Sequence, residues 1–369
     1  MRYVQINSVS NGSTGSVMKQ VEQRRLAAGD ECWRMWGRGR AAENDHEFKF
    51  GSRIGFYFDV IATRLDGRAG FHSCSTTRRL LAKLDEIDPD VVHLHNLHGY
   101  YVNVEMLFDW LASHCCKVRW TLHDCWAFTG HCAYFTYIKC MQWRSHCACS
   151  EGCPQLGAYP KTYSRRSCSR NFGDKRRIFT ALPPERMTLV APSHWLEDQV
   201  KQSFLKDYPI EVHHNAVDKS IFKPTPSDFR ERYGIGDRFM ILGVASPWTE
   251  RKGLADFTRL ASELDRSRFA IVLVGLSRKQ VKGLPSGVVG IGRTDSQHEL
   301  AGIYTAADVF FNPTREDNYP TVNLEAEACG TPVITYDTGG CRETISKNSS
   351  VVQASFIDAL LEIENRGRQ

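Results

Sequence analysis

The amino-acid sequence predicts an α/β protein made of two doubly wound parallel sheets. The chain has 369 residues, more than a single hydrophobic core usually accommodates. Short β-branched segments alternate with amphipathic segments, which is typical of parallel strands joined by helices. The segment "DKSIFKPTPSDFRERYGIGD" interrupts this alternation with two prolines and mixed charge. We therefore expect two Rossmann-like domains, residues 1–225 and 226–369, that face a central cleft.

Ten segments have the composition of strands. They are, in chain order, "RYVQIN", "DVVHLH", "VRWTLHD", "MTLVAPS", "IEVHHN", "RFMILGVAS", "FAIVLVG", "VVGIGR", "DVFFNP" and "TPVITYD". Amphipathic segments such as "RRLLAKLDEI" and "LADFTRLASELD" are the predicted helices. Because ligands of doubly wound sheets bind beyond the carboxyl ends of strands, the residues that follow each strand are the candidates for a site.

Composition and charge restrict the class of protein. Hydrophobic residues make up 42% and charged residues 24% of the chain, as in ordinary globular proteins. The net charge of +5, concentrated in "RRLAAGDECWRMWGRGR" and "SRRSCSRNFGDKRR", suits an anionic substrate, an acidic lipid surface or nucleic acid, and equally a solvated basic face. No segment has the roughly 18 to 20 apolar residues of a membrane-spanning helix, and no signal peptide is evident. We expect a cytoplasmic protein with reduced cysteines.

Two glycines follow the first strand in "SVSNGSTGSVMKQV". Gly12 and Gly15 enclose Ser13 and Thr14 just before a predicted helix. Glycines here let backbone N–H groups approach an anion at the helix N-terminus. A tight strand-to-helix turn without a ligand is the alternative, since glycine is the usual residue of such turns.

Three histidines occur in "DVVHLHNLHGYY". His93 and His95 share one face of an extended segment, which is a spacing compatible with metal ligands. No carboxylate accompanies them, so we favour packing for this pair and a substrate contact, on the acceptor side, at His98 and Tyr101.

His123 and Asp124 follow a strand in "WTLHDCWAFTGHC", where a doubly wound sheet presents functional groups. An imidazole there can donate to a sugar hydroxyl or a phosphate, and the neighbouring carboxylate can orient it. A helix-capping aspartate beside a partly buried histidine is the alternative interpretation.

Cysteines cluster in an irregular insertion at about residues 125–170. Seven of the 13 cysteines of the chain fall in it: Cys125, Cys132, Cys140, Cys147, Cys149, Cys153 and Cys168. Such a segment buries little apolar surface, and thiolate-bound zinc can hold it together. The predicted structural zinc ligands are Cys132, Cys140, Cys147 and Cys153, with Cys149 or His131 as substitutes. Free buried thiols are the alternative.

Two cations follow a strand of the second half in "GVASPWTERKGLADF". Arg251 and Lys252 stand beside Gly253 at a predicted helix start. This position suits a diphosphate better than a neutral ligand.

Four acids surround a proline turn in "TREDNYPTVNLEAEACGTPVI". Pro320 suits a helix start, Glu325 falls about one turn after Thr321 on the same face, and Asp317 lies in the preceding loop. An acid beside a phosphate site repels the phosphate unless it accepts hydrogen bonds from hydroxyls. The pattern therefore indicates a ligand that carries both phosphate and sugar.

These segments resemble the GT-B glycosyltransferases of family 4, in particular the bacterial exopolysaccharide and capsule branch related to colanic-acid enzymes. The likeness covers nearly the whole chain and rests on "GSTG", "HLHNLHGYY", "TLHDCWAFTGHC", "APSHWL", "HNAVD", "RKG" and "DNYPTVNLEAEACGTPVI", with its Asp-x7-Glu spacing.

The resemblance implies roles for matching residues. Glu325 would accept hydrogen bonds from the nucleotide ribose, and either Asp317 or Glu316 those from the sugar hydroxyls, while Glu327 would be solvent-exposed charge. Lys252 would bind phosphate; the family's usual arginine is replaced by Pro247, and Arg251 would compensate. The other implied donor-site residues are Gly15, His123, Arg293 near the nucleobase, Asn318, Tyr319 and Pro320.

The implied reaction is retaining, metal-independent hexosyl transfer from a UDP- or GDP-sugar to a glycan or lipid-linked acceptor in cell-surface polysaccharide synthesis. The enzyme would work in the cytoplasm, in contact with the anionic inner face of the membrane. A catalytically silent sugar-nucleotide or polysaccharide-binding relative, or a GT-B sugar-nucleotide epimerase, are the alternatives. Because the chain lacks interleaved basic and aromatic recognition residues, we expect no nucleic-acid partner.

Overall fold

The computed structural model describes residues 1–147 and 152–368, and the chain divides into an N-terminal unit, Met1–His214, and a C-terminal unit, Asn215–Gln369. The division falls earlier than the sequence-based boundary after residue 225. The segment after His214 packs with the C-terminal unit: Phe222 is buried beside Tyr304, and the Thr225 N–H donates to Thr305 Oγ1 at 3.0 Å. The segment with two prolines and mixed charge therefore lies within the C-terminal unit and not between the two units.

The N-terminal unit is built on a seven-stranded parallel sheet with strand order β3-β2-β1-β4-β5-β6-β7. Its strands are β1 Arg2–Val9, β2 Glu31–Arg38, β3 Glu47–Lys49, β4 Val91–Leu94, β5 Lys117–Thr121, β6 Met187–Ala191 and β7 Ile210–Val212. The helices are α1 Gly12–Ala27, α2 Arg53–Asp66, α3 Cys74–Ile87, α4 Val104–Ser113, α5 Ser167–Phe179 and α6 His194–Lys201, with 3-10 turns at Trp126–Phe128, Gln142–Arg144 and Pro184–Arg186.

The C-terminal unit is built on a six-stranded parallel sheet with strand order β10-β9-β8-β11-β12-β13. Its strands are β8 Phe239–Val244, β9 Phe269–Val274, β10 Val288–Ile291, β11 Val309–Asn312, β12 Val333–Tyr336 and β13 Val351–Gln353. The helices are α7 Phe229–Arg232, α8 Leu254–Glu263, α9 Arg278–Lys282, α10 Gln297–Ala306, α11 Thr321–Ala328 and α12 Phe356–Arg366, with 3-10 turns at Glu250–Lys252 and Arg342–Thr344.

Both faces of the second sheet are covered. Alternate residues of β8 enter two separate apolar clusters, Met240 and Leu242 on one side and Ile241 on the other, and all three are fully buried. Because side chains of a strand alternate between faces, a sheet buried on both sides gives the continuous apolar segments seen in the sequence. All ten predicted strands are present, five in each sheet, and this burial explains the apolar segments of the second sheet.

Three strands were not predicted. β2 has the sequence "ECWRMWGR", in which charged residues interrupt the apolar ones, and it was interpreted only as basic surface. β3 and β13 are three residues long, too short to show an alternation.

Each sheet has one position where the chain order reverses. In the N-terminal unit this switch point lies between β1 and β4, and in the C-terminal unit between β8 and β11. Ligands of open α/β sheets bind at such points, beyond the carboxyl ends of the strands. The loops after β1, β4, β8 and β11 therefore position the candidate sites.

Candidate functional site

The loops after β8 and β11 are joined at the switch point of the C-terminal unit. The Arg315 N–H donates to the Arg251 carbonyl at 2.7 Å. Gly253 has φ +77°, and a Cβ there would lie 2.3 Å from the Pro313 carbonyl oxygen, so only glycine allows this approach. The joined loops place the side chains after the two strands next to each other.

The central contact is an ion pair between Lys252 and Asp317. Lys252 Nζ donates to Asp317 Oδ2, and Arg251 Nη1 lies 3.9 Å from the same oxygen. Asp317 Oδ1 accepts the Asn318 N–H at 2.9 Å. Burial raises the pKa of Asp317, but the two cations and these hydrogen bonds outweigh burial and leave the pKa below its ordinary value. Asp317 is therefore ionised at neutral pH.

Glu316, the neighbouring carboxylate, has a different environment. It is fully buried, and its backbone carbonyl accepts hydrogen bonds from Arg251 and from the Thr314 hydroxyl, the latter at 3.2 Å. Of the two acids between which the sequence left the choice open, Asp317 is the one paired with Lys252.

Glu325 is the fifth of the eight residues of α11 and is partly buried. The Tyr304 hydroxyl donates to Glu325 Oε2 at 3.1 Å, and Thr321 also bonds to this carboxyl group. Burial raises the pKa of Glu325 to about 7, against the smaller lowering effect of these two hydrogen bonds. The group therefore titrates near neutrality, which is common for residues of functional sites and also occurs in structural networks.

The turn before α11 is ordered by buried polar residues. α11 begins at Thr321, directly after Pro320, as predicted for a proline at a helix start. Asn318 and Tyr319 are buried, and the Tyr319 hydroxyl donates to the Glu343 carbonyl at 3.4 Å. Contact of these residues with a donor stays a prediction.

Glu327 was expected to be solvent-exposed charge, and this prediction is wrong. Only 4% of the residue is exposed. Its carboxylate accepts hydrogen bonds from the Ser346 N–H and hydroxyl and, at 3.1 Å, from the Lys347 N–H. The side chain therefore anchors the loop after Thr344, and its partners are too far along the chain for a local pattern to reveal them.

Arg293 lies apart from this group. It is exposed, just beyond the end of β10, which is separated from β8 by β9. Among the residues that the structure describes, no hydrogen bond or ion pair links Arg293 to Lys252 or Asp317. A contact with the nucleobase stays a prediction.

The glycine loop of the N-terminal unit lies at its switch point. A Cβ on Gly15 would lie 2.5 Å from the Ser10 carbonyl carbon, so a larger residue does not fit. The helix begins at Gly12, within the loop itself, and Asn7 Nδ2 donates to Thr14 Oγ1 at 3.2 Å. This contact accounts for a glycine in the strand-to-helix turn, and anion binding there stays a prediction.

Three imidazoles form a row beside this loop. The rings of His93 and His95 stack at 4.3 Å between centroids, and those of His95 and His123 at 5.5 Å. His95 Nε2 lies 3.1 Å from Gln5 Oε1, and His95 Nδ1 lies 3.2 Å from His123 Nε2.

Gln5 sets the tautomers of His95 and His123. Its amide nitrogen donates to the Met18 carbonyl at 3.0 Å, so its oxygen faces His95. His95 then carries its proton on Nε2, and its Nδ1 accepts a hydrogen bond from the His123 Nε2–H. Burial lowers the pKa of His123 to about 4, with Asp124 opposing the change and His98 adding to it. His123 is therefore neutral at pH 7. The sequence analysis missed Gln5, although a glutamine inside an apolar strand is a usable signal.

Asp124 does not orient His123 as the sequence suggested. Its Oδ2 pairs with His98 Nε2 at 2.7 Å, and its Oδ1 accepts the Trp126 N–H at 2.9 Å. Burial raises the pKa of Asp124, but His98 and the backbone hydrogen bond outweigh burial, and the pKa lies below its ordinary value. His98 Nδ1 also lies 3.1 Å from the Tyr159 hydroxyl. The local order of residues could not show which histidine the carboxylate meets.

Tyr101, the second predicted acceptor-side residue, is in the core. It is 2% exposed, and its hydroxyl donates to the Asn96 carbonyl at 2.7 Å. A Cβ on Gly37 would lie 2.3 Å from the Tyr101 side chain, so the ring occupies space that only glycine leaves open. This placement favours packing over substrate contact for Tyr101.

The cysteine-rich insertion brings several thiols together. Cys147 Sγ accepts the Gly130 N–H at 3.2 Å, and the Cys153 and Cys168 thiols are hydrogen-bonded to each other. Cys132 is buried, and Cys140 is partly buried.

The predicted zinc ligands are not fully assembled. In the two described ranges, the sulfurs of Cys132, Cys140, Cys147 and Cys153 do not form a group whose ligand atoms all lie within 4.8 Å of one another. Of the substitute ligands, Cys149 lies outside the described residues. His131 is 3% exposed; burial and nearby Lys175 lower its pKa to about 4, against the opposing effect of hydrogen bonds with the backbone of Gln155 and Ala158. Zinc binding stays a prediction.

Lys175 lies beside this insertion, and the solvated basic face, one of the interpretations of "SRRSCSRNFGDKRR", does not apply to it. The residue is 1% exposed, and its Nζ donates to the carbonyls of Trp126 and Thr129 at 2.8 and 3.0 Å. Burial lowers the pKa of Lys175 to about 7, and Cys147 and Cys132 oppose this change. The ammonium thus stands among backbone carbonyls and thiols.

Residues 238–365 match the protein family described as "Glycosyl transferases group 1". The chain carries a group 1 glycosyltransferase domain. This domain lies within the C-terminal unit and contains Lys252, Asp317 and Glu325, so the group of residues at the switch point belongs to it.

Relatives extend the likeness beyond the glycosyltransferase domain. The chain is 24% identical over 411 residues to a protein of Escherichia coli K12 described as a colanic acid biosynthesis glycosyl transferase, WcaC, covering 100% of this chain and 95% of the relative. It is 34% identical over 165 residues to a GDP-mannose-dependent phosphatidylinositol monomannoside mannosyltransferase of Mycolicibacterium smegmatis, covering 39% of this chain and 43% of that enzyme.

Solved structures that match nearly the whole chain support the predicted GT-B fold class. Sucrose-phosphate synthase from Thermosynechococcus elongatus matches with a TM-score of 0.70 at 14% identity, covering 99% of this chain and 89% of that one. HepE of Anabaena, solved with UDP and glucose, matches with a TM-score of 0.62 at 13% identity and the same coverage. In the part of the chain that the structure describes, no helix has both the length and the apolar character needed to cross a membrane.

Proposed function

We propose that this glycosyltransferase is a retaining hexosyltransferase that uses a UDP- or GDP-sugar. Its acceptor is a glycan or a lipid-linked saccharide of cell-surface polysaccharide synthesis, at the inner face of the membrane. The observation that carries the proposal is the Lys252–Asp317 ion pair at the switch point between β8 and β11, with Glu325 on the adjoining helix. The colanic-acid relative, with its match over the whole chain, supports the acceptor class.

Lys252 and Arg251 are the groups that bind the donor diphosphate. Positive groups held in place before the reaction stabilise the charge that develops on a leaving diphosphate, and this stabilisation is usually the largest contribution to the rate. Asp317 holds Lys252 in position and is the proposed acceptor of hydrogen bonds from sugar hydroxyls. The proposed reaction uses these cations, and no divalent metal ion, to stabilise the leaving group.

Glu325 is the proposed ribose acceptor. A carboxylate accepts hydrogen bonds from two vicinal hydroxyls, and these bonds are stronger than those to a neutral acceptor. Ribose binding therefore favours the ionised form of a group whose pKa, without ligand, is about 7.

His123 has a supporting role. The ring is neutral at pH 7 because of its burial, and its Nε2 is engaged with His95. A neutral imidazole held in this way is suited to hydrogen bonding with the donor and not to nucleophilic attack. Transfer with retention then leaves the acceptor proton to a phosphate oxygen of the departing diphosphate.

The proposal is tested by donor binding followed by transfer. We expect one class of sugar nucleotide, UDP- or GDP-linked, to raise the melting temperature of the purified chain, and a lipid-linked saccharide to receive the hexose with its anomeric configuration unchanged by NMR. Binding without transfer across a broad set of acceptors would identify a silent relative. Epimerised free sugar nucleotide formed without acceptor would identify an epimerase. Failure of every sugar nucleotide to bind would contradict the proposal outright.

We also propose that a structural zinc ion holds the cysteine-rich insertion together. A zinc ion bound by four thiolates carries net negative charge, and buried Lys175 offers the compensating positive charge beside Cys132 and Cys147. Without a compensating negative charge, a buried ammonium group lowers the stability of the fold. The ligands are the four predicted cysteines, and the zinc shapes the insertion without entering the transfer step.

Metal analysis tests the zinc proposal. Protein purified under reducing conditions without chelator is expected to contain about one zinc per chain. Cys147→Ser and Cys153→Ser should lose it, whereas Cys115→Ser, at an exposed cysteine, should retain it. The proposal would be refuted by a protein that contains no zinc and in which thiol counting shows either only free thiols or a Cys153–Cys168 disulfide.

A further inference from the structure

Helix α2 of the N-terminal unit presents its apolar residues to solvent and its polar residues to the protein. Asp59 and Thr63 are fully buried, whereas Ile54, Phe58 and Leu65 are 84%, 69% and 69% exposed. Surface helices of globular proteins normally have the opposite arrangement. The reversed faces of α2 therefore indicate a function for its outer surface.

The orientation of α2 is fixed by specific bonds. Buried Asp59 accepts hydrogen bonds from Thr63 Oγ1 at 3.1 Å and from the Ser73 hydroxyl. The helix begins where Ser52 Oγ accepts the Gly55 N–H at 3.0 Å, and ends at Gly67, whose N–H donates to the Thr63 carbonyl at 2.8 Å. Turning the apolar face inward would break the buried carboxyl group's bonds.

The exposed apolar residues form one continuous stripe. Ile54, Phe58, Ile61 and Leu65 recur at intervals of three or four positions, and Tyr57, 51% exposed, widens the stripe. Tyr163 continues it at the end of the helix, because its N–H donates to the Arg64 carbonyl at 2.8 Å and its ring is 67% exposed. A contiguous apolar surface of this kind on a soluble domain marks a protein or membrane interaction site.

Cations border the stripe at both ends. Arg53 starts the helix and lies 5.9 Å from the Tyr57 ring centroid. At the other end Arg64 is exposed, and Lys161 lies 5.6 Å from the Tyr163 ring centroid, with Arg165 and Arg166 exposed nearby in sequence. The acid at this end, Asp66, bonds to His72 at 3.2 Å. The border of the stripe is therefore predominantly positive.

We propose that this face of α2 docks on an anionic bilayer surface, with the stripe Ile54, Tyr57, Phe58, Ile61 and Leu65 entering the headgroup boundary and the bordering cations binding lipid phosphates. A helix with an apolar face and basic flanks binds membranes in this manner, and aromatic rings concentrate at the same depth. A second copy fits the surface less well, because a two-fold contact would bring the same positive borders together.

The inference deepens the proposed function, since it supplies the contact through which a lipid-linked acceptor is reached. Its test is independent of transfer. The full chain is sedimented with vesicles of phosphatidylcholine alone and with vesicles that also contain phosphatidylglycerol, in the absence of donor and acceptor. We expect binding to the phosphatidylglycerol vesicles that weakens as salt rises.

Two variants and a matched control make the test specific. Ile54→Ser/Phe58→Ser should weaken vesicle binding at least roughly tenfold, because two membrane-inserting side chains are removed. Arg64→Gln/Arg165→Gln should remove the preference for phosphatidylglycerol. Ile357→Ser/Leu361→Ser, which changes two residues of α12 that are 49% and 53% exposed, should bind as the wild type does.

Several results would overturn the inference. They are unchanged binding by Ile54→Ser/Phe58→Ser, absence of wild-type binding to any vesicle, or a wild-type dimer that this variant converts to monomers without any vesicle binding. All four proteins should share one melting temperature within a few degrees and the same shift with sugar nucleotide. If the vesicle results hold while no sugar nucleotide binds, the proposed function fails and the docking surface stands.

Discussion

Replacing Lys252 with methionine should lower the rate of hexosyl transfer by about 10²–10³-fold, the usual effect of removing one preorganised group that stabilises developing charge. The same change should abolish the rise in melting temperature on adding sugar nucleotide. Lys252 is the cation that pairs with Asp317 at the switch point, and Arg251, 3.9 Å from the same oxygen, is more distant. Steady-state transfer and thermal shift measure the two effects.

The matched control is Lys282→Met, an exposed lysine at the end of α9. It removes the same charge from the same unit, so transfer and donor-induced stabilisation should stay at wild-type values. Equal losses in both variants would mean that net charge and not the position of Lys252 matters. Full donor response in Lys252→Met would remove the basis of the proposed function.

The ion pair also predicts how the variant depends on pH. In the wild type the pKa of Asp317 lies below its ordinary value, so its ionised form stabilises the fold above the unfolded-state pKa, and this contribution is lost as pH falls through the folded-state pKa. Without Lys252, burial raises the pKa of Asp317 with less opposition. The acid unfolding midpoint of Lys252→Met should move to higher pH.

A second change separates stability from catalysis. Adding Asp317→Asn to Lys252→Met removes the unpaired buried charge, and the double variant should recover on the order of 1–3 kcal/mol of unfolding free energy at pH 7. Transfer should not recover, because the cation that faces the diphosphate is still missing. Recovery of transfer in the double variant would show that Lys252 acts only by holding Asp317.

Prediction from the sequence succeeded where the signal was local. The segments that became β8 and β11 are continuous apolar sequences because both faces of their sheet are covered. The residues directly after these strands were selected from the sequence as candidates for a site, and in the structure Lys252 and Asp317 among them form an ion pair. Lys252 and Asp317 were both singled out, but their ion pair depends on the approach of two loops that Gly253 permits. The sequence left open whether Glu316 or Asp317 accepts hydrogen bonds from the sugar hydroxyls, and it gave no sign that Asp317 pairs with Lys252.

Prediction failed where distant partners decide the environment. Glu327 is buried because Ser346 and Lys347 supply its hydrogen bonds, and Lys175 is buried because the carbonyls of Trp126 and Thr129 supply acceptors for its ammonium. Each of these charges looks like a surface residue in its own segment. The same holds for Asp124, whose partner His98 comes from the loop after another strand.

Glu325→Gln should make the protein more stable and a poorer binder of sugar nucleotide. Burial raises the pKa of Glu325 to about 7 from an ordinary value of 4.5, so the folded state holds this proton more tightly than the unfolded state. Below pH 4.5 the carboxyl group therefore does not lower the free energy of unfolding. As pH rises it lowers this free energy increasingly, and the full destabilisation is reached above pH 7. Glutamine keeps the size and an oxygen that can accept from Tyr304, without the charge.

Chemical denaturation at two pH values measures the stability effect. At pH 8 the variant should exceed the wild type by on the order of 1–3 kcal/mol of unfolding free energy, and at pH 4.5 the two should be equal. Glu263→Gln, at an exposed residue on α8 that pairs with Arg259 at 3.8 Å, should match the wild type at both pH values. A variant less stable than the wild type at pH 8 would mean that the hydrogen bonds of the carboxylate stabilise the fold by more than its burial destabilises it.

Binding should change in the opposite direction. Removing a charged acceptor of ribose hydroxyls is expected to weaken donor affinity by about tenfold or more. Wild-type affinity should fall as pH drops below about 7, because binding requires the ionised carboxylate and a proton must first leave. The affinity of Glu325→Gln should be flat over the same range, since the diphosphate diester of a sugar nucleotide does not titrate there. Calorimetric titration across this pH range separates a ribose acceptor, which gives both the weaker affinity and the flat profile, from a buried acid that only destabilises the fold.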